Sequence, residues 1–241
     1  WDYDGHGTFV AGIIAASPEH GGATGVNPTA KIMVLKALNG FGHTRASYLA
    51  QAVVYGADNG AKILNLSVAG PGLPRTLQRA IRYAESKGVL VIVAAGNDGK
   101  EIADVAPAGL AGVMTVAATN ESDARAPFSN HGDGISIAAP GTNLTSLRAR
   151  RTDFQLGRLD TYSAGAAFVG SDHRYYRSSG TSFAAPIVAG VASLVWSKTP
   201  TLTAAEVRQR LEQTARDVEV PGRDLYTGYG IVDARAALAS D

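Results

Sequence analysis

Three stretches of this sequence carry residues that could do chemistry together. The longest is Gly180-Thr181-Ser182-Phe183-Ala184-Ala185-Pro186-Ile187-Val188-Ala189-Gly190. Thr181 and Ser182 sit where a helix would start, and Phe183, Ile187, Val188, Val191 and Leu194 mark its apolar stripe. A hydroxyl at a helix N-terminus stands beside the positive end of the helix dipole, which favours a neighbouring oxyanion. A serine there more often serves only as a cap. His6 lies between Gly5 and Gly7, so another side chain or a substrate can approach its imidazole closely. Taken alone, such a histidine is more often structural. Asn97, in Gly96-Asn97-Asp98-Gly99, reads either as a turn residue or as an amide donor. Acyl transfer needs a hydroxyl nucleophile, a base to take its proton and donors for the oxyanion. Ser182, His6 and Asn97 supply one of each.

The elements that must position these residues alternate along the chain. A helix is expected to begin near His6. Ile32 to Leu38 is a β-rich run ending in the loop Asn39-Gly40-Phe41-Gly42, and residues 47 to 59 carry a helical pattern. Ile63 to Val68 reads as a strand, and a helix follows through Leu77, Ala80, Ile81 and Ala84 with Gly88 as its stop. The uninterrupted apolar run Val89 to Ala95 predicts a strand buried on both faces of a parallel sheet. Val113 to Ala118 and Ile135 to Ala138 are further strands. Thr203 and Glu206 form a capping box for a late amphipathic helix, and a small helix closes the chain. This alternation predicts a three-layer α/β/α sandwich with a mostly parallel central sheet. In such sheets function gathers at the carboxyl ends of strands, where Ser67 and Asn97 fall.

The chain has 241 residues, no cysteine and a formal net charge of +1. One domain with a sizeable core fits that length. The absence of cysteine excludes disulfides, thiol chemistry and Cys-based metal sites. A near-neutral charge argues against nucleic acid as the main partner, and no apolar run is long enough for a membrane span. Gly5-His6-Gly7-Thr8-Phe9-Val10 superficially matches a dinucleotide fingerprint, but Val10 takes its last glycine position and no strand precedes it.

Together the motifs Gly5-His6-Gly7-Thr8-Phe9-Val10-Ala11-Gly12, Ala94-Ala95-Gly96-Asn97-Asp98-Gly99 and Gly180 to Gly190 resemble the subtilisin-like serine proteases (peptidase S8). Shorter matches, including Leu64-Asn65-Leu66-Ser67, Phe128-Ser129-Asn130 and Ala139-Pro140-Gly141, extend the likeness over nearly the whole chain. The resemblance implies a serine endopeptidase with His6 as general base, Asn97 as oxyanion-hole donor and Ser182 as nucleophile. It implies protein or peptide substrates, an upstream pro-segment and a secreted or periplasmic enzyme. No cofactor is expected for catalysis, and Glu19 lies where relatives often have a calcium-binding loop, which leaves room for structural calcium. Substrate backbone is expected to add as a strand beside Ser67-Val68-Ala69-Gly70 and against Gly42-His43-Thr44. Walls at Val68 to Gly70 and at Ala94, Ala95 and Gly96, with Val105 as the floor, favour medium apolar residues before the scissile bond.

The sequence departs from the family pattern in one respect that matters. Chain order in such enzymes is Asp, His, Ser, and the third triad member lies on a strand upstream of the histidine. Asp2 and Asp4 are too close to His6 for that role. The whole chain, residues 1–241, is therefore read as a subtilisin-like peptidase domain without its first strand and aspartate, nearly inactive alone. An acid-acting serine-carboxyl peptidase of similar fold is disfavoured, because it would want Glu at His6 and Asp at Asn97. A non-catalytic peptide-binding or structural protein on the same fold is the alternative. The basic run Arg148, Arg150, Arg151 and Arg158 reads as a solvated loop.

Overall fold

The computed structural model describes residues 2–20, 22–149, 168–169 and 174–239. Its centre is a parallel sheet of strands β1 (Ile63–Leu66), β3 (Leu90–Ala94), β5 (Met114–Thr119) and β6 (Ile135–Pro140), in the order β1-β3-β5-β6. Registers such as Asn65 with Ile92 and Val93 with Thr115 keep the strand ends level. β3 shows why the sheet is covered on both faces, since successive side chains point to opposite sides. Leu90, Ile92 and Ala94 pack into a cluster with Ala185, Val188 and Val195. Val91 and Val93 pack into another with Leu49, Val53, Leu77 and Ile81.

The second of those clusters is the layer of α2 (Ala46–Asp58) and α3 (Arg75–Ser86). α3 ends where Gly88 takes a positive φ of 75°, as its expected role as a stop requires. On the other face lie α1 (His6–Ala15), α4 (Thr181–Lys198), α5 (Ala204–Gln213) and α6 (Ala234–Ala239). The expected capping box opens α5: Thr203 accepts from the Glu206 amide, and the Glu206 carboxylate accepts from the Thr203 amide. α1 packs against α4, with the Phe9 and Phe183 rings 4.4 Å apart. Glycines let both helices approach other neighbours closely: a Cβ at Gly190 would stand 2.5 Å from the Val26 side chain, and one at Gly12 would stand 2.4 Å from Ser146 Oγ. The described residues also form two small antiparallel sheets: β2 (Gly70–Pro71) with β4 (Val105–Ala106), and β7 (Leu144–Leu147), β9 (Tyr175–Ser178) and β8 (Phe168–Val169). The three-layer α/β/α architecture matches the sequence reading.

One expected strand is absent. Residues 32 to 38 adopt no regular structure, and Ile32, Met33 and Val34 are 42%, 41% and 81% exposed. Only the end of the run is anchored: Leu35 and Ala37 pack against the α2/α3 cluster, and the Ala37 carbonyl accepts from Thr44 Oγ1 at 2.6 Å. The reason is hydrogen bonding. A strand is defined by its neighbours, and among the described residues this run has none, while β1 has a partner only at its β3 edge.

Candidate active site

Ser182 stands in the first turn of α4 and is only partly buried. Its Oγ donates to the Ser67 carbonyl at 3.3 Å, and Ser67 Oγ donates to the Ser182 carbonyl at 2.7 Å. This reciprocal pair ties the helix start to the end of β1. Amides in the first turn of a helix have no intrahelical acceptor, so the Ser182 N–H is left to a ligand or solvent.

His6 opens α1, following Gly5 at φ 87°. The turn ahead of it is organised by Asp2, whose carboxylate accepts from the Gly5 amide at 2.9 Å, the Thr8 amide at 2.8 Å and the Thr8 hydroxyl at 2.7 Å. Burial opposes ionisation of Asp2. The Thr8 hydroxyl, the Gly5 and Thr8 amides and the Lys36 charge outweigh it and hold the carboxyl below its ordinary value. Asp2 is thus a helix-capping group, in line with its exclusion from the third catalytic position. The His6 imidazole lies 5.7 Å from the Phe183 ring, tilted by 40°. Two helices far apart in sequence therefore bring the imidazole beside the residue that follows Ser182.

Asn97 follows β3 and is exposed. Its Oδ1 accepts from both the amide and the hydroxyl of Thr181, at 2.8 Å and 2.9 Å. Two donors on one atom identify it as the oxygen, which turns the Nδ2 donors away from Thr181. Nδ2 lies near the start of α4, 3.5 Å from where a Gly180 Cβ would be. Thr181 is fully buried and also accepts from the Gly96 amide at 3.0 Å. Its part in orienting Asn97 was not foreseen, since a threonine at a helix start looks like any cap; only the fold brings residue 97 to it.

The remaining expected residues fall around this point. Val68, Ala69 and Gly70 lead from β1 into β2. Gly70 pairs with Ala106 and Pro71 with Val105, which brings the expected pocket floor beside its expected wall. Ala95 and Val105 share one apolar cluster, and Ala94, Ala95 and Gly96 are buried. Gly42, His43 and Thr44 form a surface turn held by Asn39, whose Oδ1 accepts from the amides of Phe41 and His43. A cavity of about 160 Å³ lies next to the site, lined by His6, Gly7, Val10, residues 35, 37 and 38, and residues 64 to 68. It separates the irregular run from the open edge of β1.

Glu19 lies exposed in a short 3₁₀ turn, and among the described residues no three His, Cys, Asp or Glu side chains gather around a common ion position. Of the basic run, Arg148 lies over the Tyr176 ring with its guanidinium carbon 5.6 Å from the centroid; Arg150, Arg151 and Arg158 lie outside the described residues. Among the described residues no helix is long and apolar enough to cross a membrane.

Comparison with known proteins settles the family. The subtilase (peptidase S8) family model matches residues 1–230. The chain belongs to the subtilase family. Subtilisin BL of Lederbergia lenta is 37% identical over 236 residues, covering 98% of this chain and 78% of the relative. M-protease of Shouchella clausii is also 37% identical, and the chain spans 55% of its length. Among solved structures, fervidolysin from Fervidobacterium pennivorans matches with a TM-score of 0.85 at 34% identity, over 99% of this subtilase chain and 36% of its own.

Proposed function

We propose that this chain forms the body of a serine endopeptidase working through an acyl-enzyme. The arrangement that carries the reading is the start of α4, where Ser182, the neighbouring His6 imidazole and the Thr181-oriented Asn97 amide converge. Ser182 Oγ leaves the Ser67 carbonyl, passes its proton to His6 and bonds to the scissile carbonyl carbon. The displaced electron pair settles on the carbonyl oxygen, which Asn97 Nδ2 and the Ser182 amide stabilise. Collapse of the intermediate expels the amine, which takes the proton from His6. Water then repeats the sequence to release the acid. These steps draw only on side chains and backbone groups of the protein.

Substrate backbone lies along residues 67 to 70, with the turn at residues 42 to 44 on its other side. Val105, buried against Ala95, shortens the pocket for the residue before the scissile bond, so Leu, Met or Ala is preferred over Phe. A best residue of Phe or Arg in a peptide-library profile of kcat/KM overturns this specificity.

A carboxylate that fixes the His6 tautomer is the remaining requirement. We place it on an extended segment filling the cavity beside His6, where the segment bonds the open edge of β1 and gives residues 32 to 38 a strand neighbour. The same family likeness supports a secreted or periplasmic enzyme made with a pro-segment, which cell fractionation checks. Nothing observed favours a non-catalytic role.

The decisive experiment is labelling with a fluorophosphonate, followed by assay on peptide p-nitroanilides of protein carrying the cavity-filling segment. Ser182 is expected to be the labelled residue. Ser182→Ala is expected to lower kcat by roughly 10⁶, the scale known for subtilisin itself. Unchanged turnover in the folded variant refutes the assignment.

A further inference from the structure

Ser67 reaches Ser182 through a hydroxyl, and a hydroxyl has a single proton to give. That proton goes to the Ser182 carbonyl at 2.7 Å. What keeps it there is Asn65, two residues earlier on β1, whose Nδ2 donates to Ser67 Oγ at 2.9 Å. With a donor arriving from Asn65, the Ser67 hydroxyl can only accept on that side and donate on the other. The Ser67 carbonyl, in turn, holds Ser182 Oγ at 3.3 Å. Asn65 therefore stands at the head of a directed chain of hydrogen bonds that ends at the Ser182 carbonyl, while Ser182 Oγ donates back to the Ser67 carbonyl.

The other end of Asn65 is unusual. Its Oδ1 is buried and, among the described residues, has no hydrogen-bond partner. Buried side-chain acceptors are nearly always paired, so an orphan calls for an explanation. Asn65 also lines the cavity beside His6. A leucine or valine would suit a partly buried strand position better, unless both ends of the amide are used.

We propose that Asn65 is a positioning residue for Ser182, acting through Ser67: its Nδ2 commits the Ser67 hydroxyl to donating to the Ser182 carbonyl. The inference rests on the endopeptidase reading above.

The test compares Asn65→Ala, Asn65→Asp, Ser67→Ala and the double variant Asn65→Ala/Ser67→Ala in the full-length protein. Rates are expressed per serine titrated with a fluorophosphonate, so that only folded sites are counted. Asn65→Ala is expected to lower kcat about tenfold with KM within about twofold, a coupling of ordinary size for neighbouring residues. Asn65→Asp keeps the shape, protecting the fold, but offers an acceptor that draws the Ser67 proton away from Ser182; its loss should be at least as large. The double variant should be no worse than Ser67→Ala alone. Unchanged kcat per titrated serine in both Asn65 variants, or losses that multiply in the double variant, overturns the proposal while leaving the endopeptidase reading intact. Absence of any labelling at Ser182 in the unsubstituted protein overturns both.

Discussion

Two apolar runs of similar composition meet opposite fates in this molecule. Leu90 to Ala94 is the buried spine of the sheet, with every residue no more than 5% exposed. Ile32 to Val34 is just as apolar, yet each of its side chains is at least 41% exposed. Propensity does not separate them, since both are rich in β-branched and long aliphatic residues. The difference lies in what stands on either side. β3 has β1 and β5 as hydrogen-bonding neighbours and a helix layer on each face. Of the run from residue 32, only Leu35, Ala37 and Leu38 reach a cavity, whose opposite wall is β1, and among the described residues that edge of β1 has no partner. Strand structure is thus a property of neighbours, and His6 sits on the boundary between the satisfied region and the unsatisfied one.

The largest effect expected from this contrast is catalytic. An extended, carboxylate-bearing segment that fills the cavity should raise kcat over that of residues 1–241 alone by roughly 3 × 10⁴, the scale known for the aspartate in subtilisin. Protection of the amides of residues 32 to 38 from hydrogen exchange should rise in parallel. Full activity of the 241 residues by themselves, or a gain in activity without that protection, breaks the link between cavity and site.

A smaller effect concerns stability and sharpens the comparison directly. Ile92→Ala removes a fully buried side chain from the sheet and should cost about 2–5 kcal/mol. Val34→Ala, on the exposed run, should change stability by no more than about 0.5 kcal/mol. Denaturant melts of the two variants give the answer, and comparable losses would mean that residue 34 is packed in solution. With the cavity filled, the cost of Val34→Ala should grow.

A smaller effect than the loss at Ile92 belongs to Asp2, which organises the turn ahead of His6. Asp2→Ala removes three accepted hydrogen bonds and should cost about 1 kcal/mol at neutral pH, as for other helix caps. The folded carboxyl titrates below its ordinary value, so its ionised form is favoured by folding. Its contribution is complete above the unfolded carboxyl value of about 3.9 and is lost as pH falls further through the folded value. The Tm difference between wild type and Asp2→Ala should therefore shrink between pH 6 and pH 3. A gap that stays constant would show that the charge on Asp2 is not what holds the turn.

The chain by itself determined the local features, because local rules set them. Periodicity gave α1 through α6 and the four parallel strands to within a few residues, and Thr203 with Glu206 announced their capping box. Three motifs named His6, Asn97 and Ser182 because those residue types recur in a fixed local setting of glycines and small apolar residues. What the sequence could not show is how distant residues satisfy one another. Thr181 turns the Asn97 amide outward, and Asn65 with Ser67 holds the Ser182 carbonyl, through hydrogen bonds between groups 84 and 115 residues apart. The irregularity of residues 32 to 38 is of the same kind. Their apolar pattern is what a strand requires, but a strand's hydrogen bonds belong to its neighbours, and only the tertiary structure decides whether a neighbour is there.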